Sequence, residues 1–287
     1  MRSIESNGVT LAVDDRGDGH PVVLLHGFPE IAYSWRHQVP ALFDAGFRVI
    51  SYDQRGCGQS GKPDNVEAYS LANLVGDLIA LLDRLGIDAA TVVGHDWGSI
   101  VAWTAAVTHP DRVDRVVSLN VPYRGACMGF PTTDFLRSNL SERFGYVLMF
   151  QEEGIAETGF AEDPGRWLMG FYSAASGENY NMTDDDFSVY VEAFVKGGVT
   201  GPVSWYRNID ANAAAYASRI DAPITQPTLM IAADNDPVLP LSLVDGMDRW
   251  IADLETVVVK DSGHWIQQEQ PEAVNAALID WLNRTGR

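Results

Sequence analysis

The segment Gly94-His95-Asp96-Trp97-Gly98 constrains the fold of this chain more than any other stretch. It lies between a short apolar run, Thr91-Val92-Val93, and residues 99–109, which are almost all apolar or small. A β-run that passes directly into a buried helix needs a very sharp turn. Such a turn requires glycine-sized residues on both sides of its central position and leaves the central residue strained.

The flanking sequence supports a strand before that turn and a helix after it. Val22-Val23-Leu24-Leu25 and Val49-Ile50-Ser51-Tyr52 are further short apolar runs of the kind buried on both faces of a parallel sheet. Val9, Leu11 and Val13 alternate with polar neighbours, and Asp15 to Gly19 supplies turn chemistry, which reads as a half-buried hairpin strand. From Ser70 to Gly86, seven apolar residues from Leu71 to Leu85 form one helical stripe, with Ser70 placed to cap its start and Gly86 to end it. Residues Val113 to Asn120 predict another strand. After Pro122 the texture changes to aromatics and short helical stretches, with turns at Gly129, Pro131, Gly154, Pro164, Gly177 and Gly197-Gly198. The β–α rhythm resumes at Thr228-Leu229-Met230-Ile231 and Thr256-Val257-Val258-Val259, and an amphipathic helix runs from Pro271 to Leu282. The expected architecture is α/β: a mostly parallel core from residues 1–123 and 223–287, with a helical cap inserted over 124–222.

Composition narrows the possible partners. With 46% apolar and 21% charged residues, a disordered or fibrous chain is excluded. The net charge of −19 disfavours nucleic acid and anionic membranes, and scattered acidic residues point to solubility rather than an interaction tail. Two cysteines, Cys57 and Cys127, do not make a disulfide framework. The N-terminus carries no signal-peptide run and no stretch reaches the roughly 18 apolar residues of a membrane span, so a cytoplasmic enzyme is expected.

The chemistry begins with Asp96 at the centre of the turn. Its ordinary alternative is a helix N-cap, but the paired glycines at a strand-to-helix junction favour a nucleophile elbow. Serine at this position needs a base to become nucleophilic, whereas a carboxylate with a reference pKa near ~3.9 is already ionised at neutral pH. It can attack a saturated carbon directly, and a base is then required only to activate water against the resulting ester. Elbow hydrolases order their triad as nucleophile, acid, histidine. Of the two histidines after Asp96, His109 closes the helix that follows the elbow, and His264 lies in a loop just past the last β-run, where this order places the base. The acid is expected in Ala232-Ala233-Asp234-Asn235-Asp236-Pro237, with Asp236 preferred and Asp234 the alternative. The oxyanion hole is assigned to the backbone N–H groups of Trp97 and Phe28, the latter in His26-Gly27-Phe28-Pro29. His26 and His95 read as structural. Gly56-Cys57-Gly58-Gln59-Ser60-Gly61 matches a dinucleotide fingerprint only as a loop coincidence, because Lys62-Pro63-Asp64 denies it a helix. No metal-ligand spacing occurs, so neither metal nor cofactor is expected.

These residues resemble the soluble epoxide hydrolases of the α/β-hydrolase fold. The likeness spans nearly the whole chain through His26-Gly27-Phe28-Pro29-Glu30, Tyr33-Ser34-Trp35-Arg36, Asp53-Gln54-Arg55-Gly56, Gly94 to Gly98 and Gly263-His264-Trp265. It implies two cap tyrosines, matched by Tyr146 in Phe144-Gly145-Tyr146 and Tyr206 in Trp205-Tyr206-Arg207, and it supports Asp236 as the acid. Phenols with pKa near ~10 can polarise an epoxide oxygen and donate a proton to the alkoxide. The substrates implied are a small apolar epoxide and water, handled by a monomer or homodimer. Met149 stands where relatives often carry an aromatic and is expected to reshape the pocket; Trp205, Phe150, Trp167 and Phe171 suggest an aromatic lining. The alternatives are a haloalkane dehalogenase, in which the Trp97 indole would hold halide, and a non-catalytic receptor on the same fold.

Overall fold

The computed structural model describes residues 1–123, 132–177, 182–219 and 221–286. Eight strands form one sheet: β1 (Arg2–Ser6), β2 (Val9–Arg16), β3 (Pro21–Leu25), β4 (Arg48–Tyr52), β5 (Ala90–His95), β6 (Val113–Leu119), β7 (Thr228–Ala233) and β8 (Leu254–Val259). Their order is β1-β2-β4-β3-β5-β6-β7-β8, with β2 antiparallel to both its neighbours and the remaining pairs parallel.

Helices α1 (Gln38–Asp44), α2 (Leu71–Leu85) and α3 (Trp97–Thr108) fall between strands of the first half. Alternate residues of β3 divide the core into two layers. Val23 and Leu25 pack with Leu78, Leu81 and Val101 of α2 and α3, whereas Val22 and Leu24 pack with Val39 and Leu42 of α1 and with the C-terminal helix. This explains the continuous apolar runs, because a strand covered on both faces has no polar side.

Between β6 and β7 the described residues form seven helices: α4 (Thr133–Asn139), α5 (Ser141–Phe150), α6 (Ile155–Glu162), α7 (Pro164–Ala175), α8 (Asp184–Gly197), α9 (Thr200–Arg207) and α10 (Ile209–Tyr216). They rest on loops that leave the carboxyl ends of the core strands. The Trp205 indole donates to the Arg55 carbonyl, the Tyr172 hydroxyl to the Pro29 carbonyl and the His264 N–H to the Ala175 carbonyl. After β8 come α11 (Ile266–Glu269) and α12 (Pro271–Thr285).

Two local expectations are corrected. The hairpin joins β1 to β2 through Asn7-Gly8, both at positive φ, and residues 15–19 instead lead β2 away from β3, which pairs with β4 and β5. Asn-Gly supplies the two left-handed residues of a type I′ turn, a signal that outweighs the turn-rich Asp15-to-Gly19 stretch. Ser70 stands at the N-cap of α2, but its hydroxyl accepts from the Asn73 side chain rather than from a backbone amide. Gly86 ends α2 in the left-handed region, as read from the sequence. Cys57 is buried with a free thiol, and Cys127, Gly129 and Pro131 lie outside the described residues. Among the described residues no helix is long and apolar enough to cross a membrane.

Candidate active site

Asp96 occupies the turn between β5 and α3 with φ 50° and ψ −122°. This strained backbone is tolerated because its neighbours are clamped. A methyl group on Gly94 would strike the Gly98 carbonyl, and one on Gly98 would strike the Leu25 carbonyl oxygen. The helix therefore starts hard against β3, and the Asp96 side chain projects between the loops that follow β3 and β8. The N-cap alternative fails on geometry, since the Asp96 side chain makes no capping bond to α3. Instead Oδ1 accepts from the Phe28 N–H at 2.7 Å, while Oδ2 stands 3.7 Å from His264 Nε2.

His264 follows β8 and is almost fully buried. Its Nδ1 meets Asp236 Oδ2 at 2.7 Å, and the other oxygen of Asp236 accepts from the N–H groups of Val238 and Leu239 at 2.7 and 2.9 Å. The carboxylate is thus fixed by its own loop and faces only the imidazole. Asp234 points elsewhere: its Oδ1 accepts from the Ser262 N–H and its Oδ2 lies 3.6 Å from Lys260 Nζ. Of the two carboxylates offered by the sequence, the one that touches His264 is Asp236.

The charges are coupled. Burial pushes the Asp96 carboxyl up, but the hydrogen bond and charge of His264, the nearby His95 and the Phe28 N–H together hold it below the usual value. Burial pulls His264 down, yet the charges and hydrogen bonds of Asp236 and Asp96 raise it well above an ordinary imidazole. The resting site therefore favours an imidazolium between two carboxylates.

Tyr146 on α5 and Tyr206 on α9 face Asp96 from the helical side, with ring centroids 5.8 Å apart. Gln151 Nε2 bridges the Val147 and Tyr206 carbonyls, tying α5 to α9. The two hydroxyls hydrogen-bond to each other. That bond lowers the Tyr146 pKa and raises that of Tyr206. Trp97, whose side chain can only donate, hydrogen-bonds to the Tyr206 hydroxyl. Burial is the main cause that lifts both phenols above their ordinary values, and both stay protonated at neutral pH.

Two cavities meet at these groups, of ≈ 560 and ≈ 200 Å³, and both have Asp96, Tyr146, Tyr206 and Val238 in their walls. The larger is apolar, bounded by Leu136, Leu140, Phe144 and Leu239 among others; the smaller runs past Phe28, Phe171 and His264. Of the four aromatics that suggested an aromatic-lined cap, without showing which of them face the cavity, Phe171 lines the smaller one. Phe150 and Trp167 pack edge-on behind Phe28, and Trp205 is fully buried against Arg55. Met149 is 37% exposed and borders neither cavity, so the pocket effect expected of it is not found. Val147, two residues earlier, lines the larger cavity, and two steps of about 100° along the helix turn Met149 towards the opposite side. Among the described residues no group of three or more His, Cys, Asp or Glu could hold a metal ion.

Sequence reasoning missed several supports. Glu30 is completely buried: Oε2 accepts from the Gly27 N–H at 3.0 Å and meets His95 Nδ1 at 2.8 Å, while Oε1 takes Gln267 and Gln268. Burial pushes this carboxyl up, and the charge and hydrogen bond of His95 bring it below its usual value. His95 Nε2 in turn meets the His264 carbonyl at 2.7 Å, which that group shares with Asn120 Nδ2 at 2.8 Å. His95 is thus structural, as read from the sequence, and links the elbow, the Phe28 loop and the His264 loop. His26 is structural too: its Nδ1 meets the Gly27 carbonyl and its Nε2 accepts from the Gln54 N–H. The one available signal for Glu30 was a carboxylate directly after an oxyanion-loop motif.

The α/β hydrolase fold family matches residues 20–271. Epoxide hydrolase A of Mycobacterium tuberculosis is 40% identical over 98% of this chain and 96% of its own length. Bifunctional epoxide hydrolase 2 of Sus scrofa is 36% identical over 98% of this chain, which spans 54% of that longer protein. The crystal structure of epoxide hydrolase A from Mycobacterium thermoresistibile superposes with a TM-score of 0.91 at 38% identity, covering 98% of this chain and 97% of that one. An elbow with aspartate at its centre, a histidine between two carboxylates and paired tyrosines opposite agree with this likeness throughout the chain: it belongs to the epoxide hydrolases of the α/β-hydrolase fold.

Proposed function

We propose that this enzyme opens an apolar epoxide to a vicinal diol in two steps, through an ester on Asp96. The observation that carries the reading is the placement of an ionised Asp96 between His264 and a pair of phenol hydroxyls, at the junction of two cavities. In the first step Asp96 Oδ2 attacks an epoxide carbon from behind. The C–O bond of the ring breaks, the electron pair goes to the epoxide oxygen, and Tyr146 and Tyr206 hold that oxygen while one of them supplies its proton. Burial favours neutral phenols, which is the form a proton donor needs.

In the second step water attacks the ester carbonyl carbon. His264 takes one water proton, Asp236 steadies the resulting imidazolium, and the N–H groups of Phe28 and Trp97 receive the negative charge that develops on the carbonyl oxygen. The adduct collapses with cleavage of its bond to the diol oxygen, which leaves with the other water proton, so Asp96 returns as a carboxylate; the phenolate left by the first step regains the proton that His264 releases on esterification. The Phe28 N–H is already bonded to Oδ1, so one donor is in position before the reaction starts. Alkylation itself switches His264 on. Asp96 in its ionised form raises the imidazole pKa, and an ester carries no charge, so esterification lowers that pKa and frees the base when water must be activated.

Helices from the 124–222 segment act in this reading as a cap domain over a core of residues 1–123 and 223–287. The enzyme works as a monomer or homodimer. No observation favours a dehalogenase, because the Trp97 indole that would hold halide is engaged with Tyr206.

The test is a single turnover in heavy-oxygen water with a simple aryl epoxide. The label is expected in the Asp96 carboxylate and not in the first diol released. Label appearing at once in the diol overturns the covalent scheme, and halide release from a chloroalkane without any diol from the epoxide overturns the reaction class.

A further inference from the structure

The loop that carries His264 is fixed at four points, and one of them is a carboxylate with no role in the chemistry above. The His264 N–H donates to the Ala175 carbonyl at the end of α7, and its own carbonyl accepts from His95 and Asn120. The flanking residues have a different anchor. Glu269, the last residue of α11, takes the Gly263 N–H on Oε2 at 2.7 Å and the Trp265 N–H on Oε1 at 3.1 Å. Oε2 also takes the Gly177 N–H, just beyond α7, at 3.2 Å. One side chain therefore holds the backbone on both sides of the histidine and fastens it to the helical segment above.

No Lys or Arg side chain pairs with Glu269 among the described residues, although the side chain is largely withdrawn from water. Burial pushes this carboxyl up, and the N–H groups of Gly263, Gly177 and Trp265, with the charge of His264, oppose that shift. Its three partners are backbone donors, and an ionised carboxylate accepts at both oxygens. Glutamine could not replace it, because its amide end would set a donor against a donor.

We infer that Glu269 is a positioning residue that sets the His264 imidazole for attack on the ester. The inference rests on the two-step reading, and it predicts an effect confined to the second step. Asp96 is held by the elbow and by Phe28, neither of which Glu269 touches, so alkylation does not depend on the clamp. Water activation does, because a displacement of about 1 Å in a proton-transfer group can cost on the order of 10²-fold.

The experiment follows both steps by quenched-flow mass spectrometry of the whole enzyme with an aryl epoxide, comparing the unmodified protein with Glu269→Gln and Glu269→Asp. Alkylation is expected to stay within about twofold, while ester hydrolysis slows by about tenfold or more in Glu269→Gln, so the alkylated enzyme accumulates. Glu269→Asp, which keeps two acceptors on a shorter stem, is expected to recover part of that loss. Two unchanged steps, or two steps slowed in parallel with a lower Tm, overturn the inference, the second outcome marking a merely structural residue. Should Glu269→Gln not fold, Glu269→Asp must show the same step-selective slowing, or the inference fails. Absence of both ester and diol from the unmodified enzyme counts against the underlying reading instead.

Discussion

The two walls that face each other across Asp96 are built by opposite means. On the sheet side, position comes from backbone: a strained elbow closed by Gly94 and Gly98, an N–H from Phe28, and a histidine whose loop is tied by Asn120, His95 and Glu269. On the helical side, position comes from ring packing. Tyr146 and Tyr206 stand in a cluster with Phe28, Phe150 and Phe171, whose centroids lie 5.2 to 5.7 Å from one tyrosine or the other. Hydrogen bonds fix atoms along defined directions, whereas aromatic packing is broader in geometry and adapts to shape. In the two-step reading proposed above, the wall that would make and break the ester is the one held by directed hydrogen bonds, and the wall that would accommodate the substrate is the one held by ring packing.

The contrast can be broken at the tyrosines first. Replacing both with phenylalanine keeps the rings and removes the hydroxyls, and we expect diol formation to fall by about 10⁴-fold through slower alkylation, given the usual scale of general-acid catalysis. Pre-steady-state quenching with no ester detected is the check; an ester that accumulates would place the loss on the wrong wall. Asp236→Asn comes next. Turnover is expected to drop by about 10³-fold, because the amide neither steadies the imidazolium nor fixes its tautomer. The same change removes the largest upward influence on the His264 pKa, so the acid limb of the pH profile for ester hydrolysis moves to lower pH. An acid limb that stays in place would disconnect Asp236 from the base.

A smaller effect should come from the ring-packed wall. Leu136→Trp fills part of the ≈ 560 Å³ cavity, and kcat/KM for an epoxide with one bulky substituent should fall by roughly tenfold relative to a compact one, the scale of a methylene-sized pocket change. Equal losses for both substrates would mean that the larger cavity is not where the substituent lies. Smallest of all is Asp234→Asn. This carboxylate touches Ser262 and Lys260 and not His264, so stability should shift by less than about 0.5 kcal/mol and turnover by less than about twofold. A loss comparable to that of Asp236→Asn would reverse the choice between them.

The hydrogen-bonded wall was also the more legible in the sequence. Gly94 to Gly98 announces its turn because only glycine fits there, and His264 is the one histidine that follows the acid in the chain. Parallel strands identify themselves by unbroken apolar runs such as Thr91-Val92-Val93. What escaped reading depends on backbone donors or on contacts between distant segments. Asn120 and Glu269 act on N–H and C=O groups that every residue carries, so no residue type marks their targets. Glu30 and His95 are 65 residues apart, and their ion pair exists only once β3 and β5 lie side by side. The direction of Met149 was lost for another reason: within a short helix bent at Phe144, phase decides which neighbour faces the cavity. The hairpin was misplaced because two turn-rich stretches compete near the N-terminus, and only strand pairing chooses between them.

The hydrogen bonds that join the Trp97 indole, the Tyr206 hydroxyl and Tyr146 have a further consequence for what the pocket rewards. These hydroxyls hydrogen-bond to each other, so a guest must offer something better than contact to separate them. A three-membered ether brings two lone pairs and can take both protons; a cyclopropane of equal size can take neither. With the tyrosines in the role proposed above, the pocket would measure basicity at one atom before it measures shape.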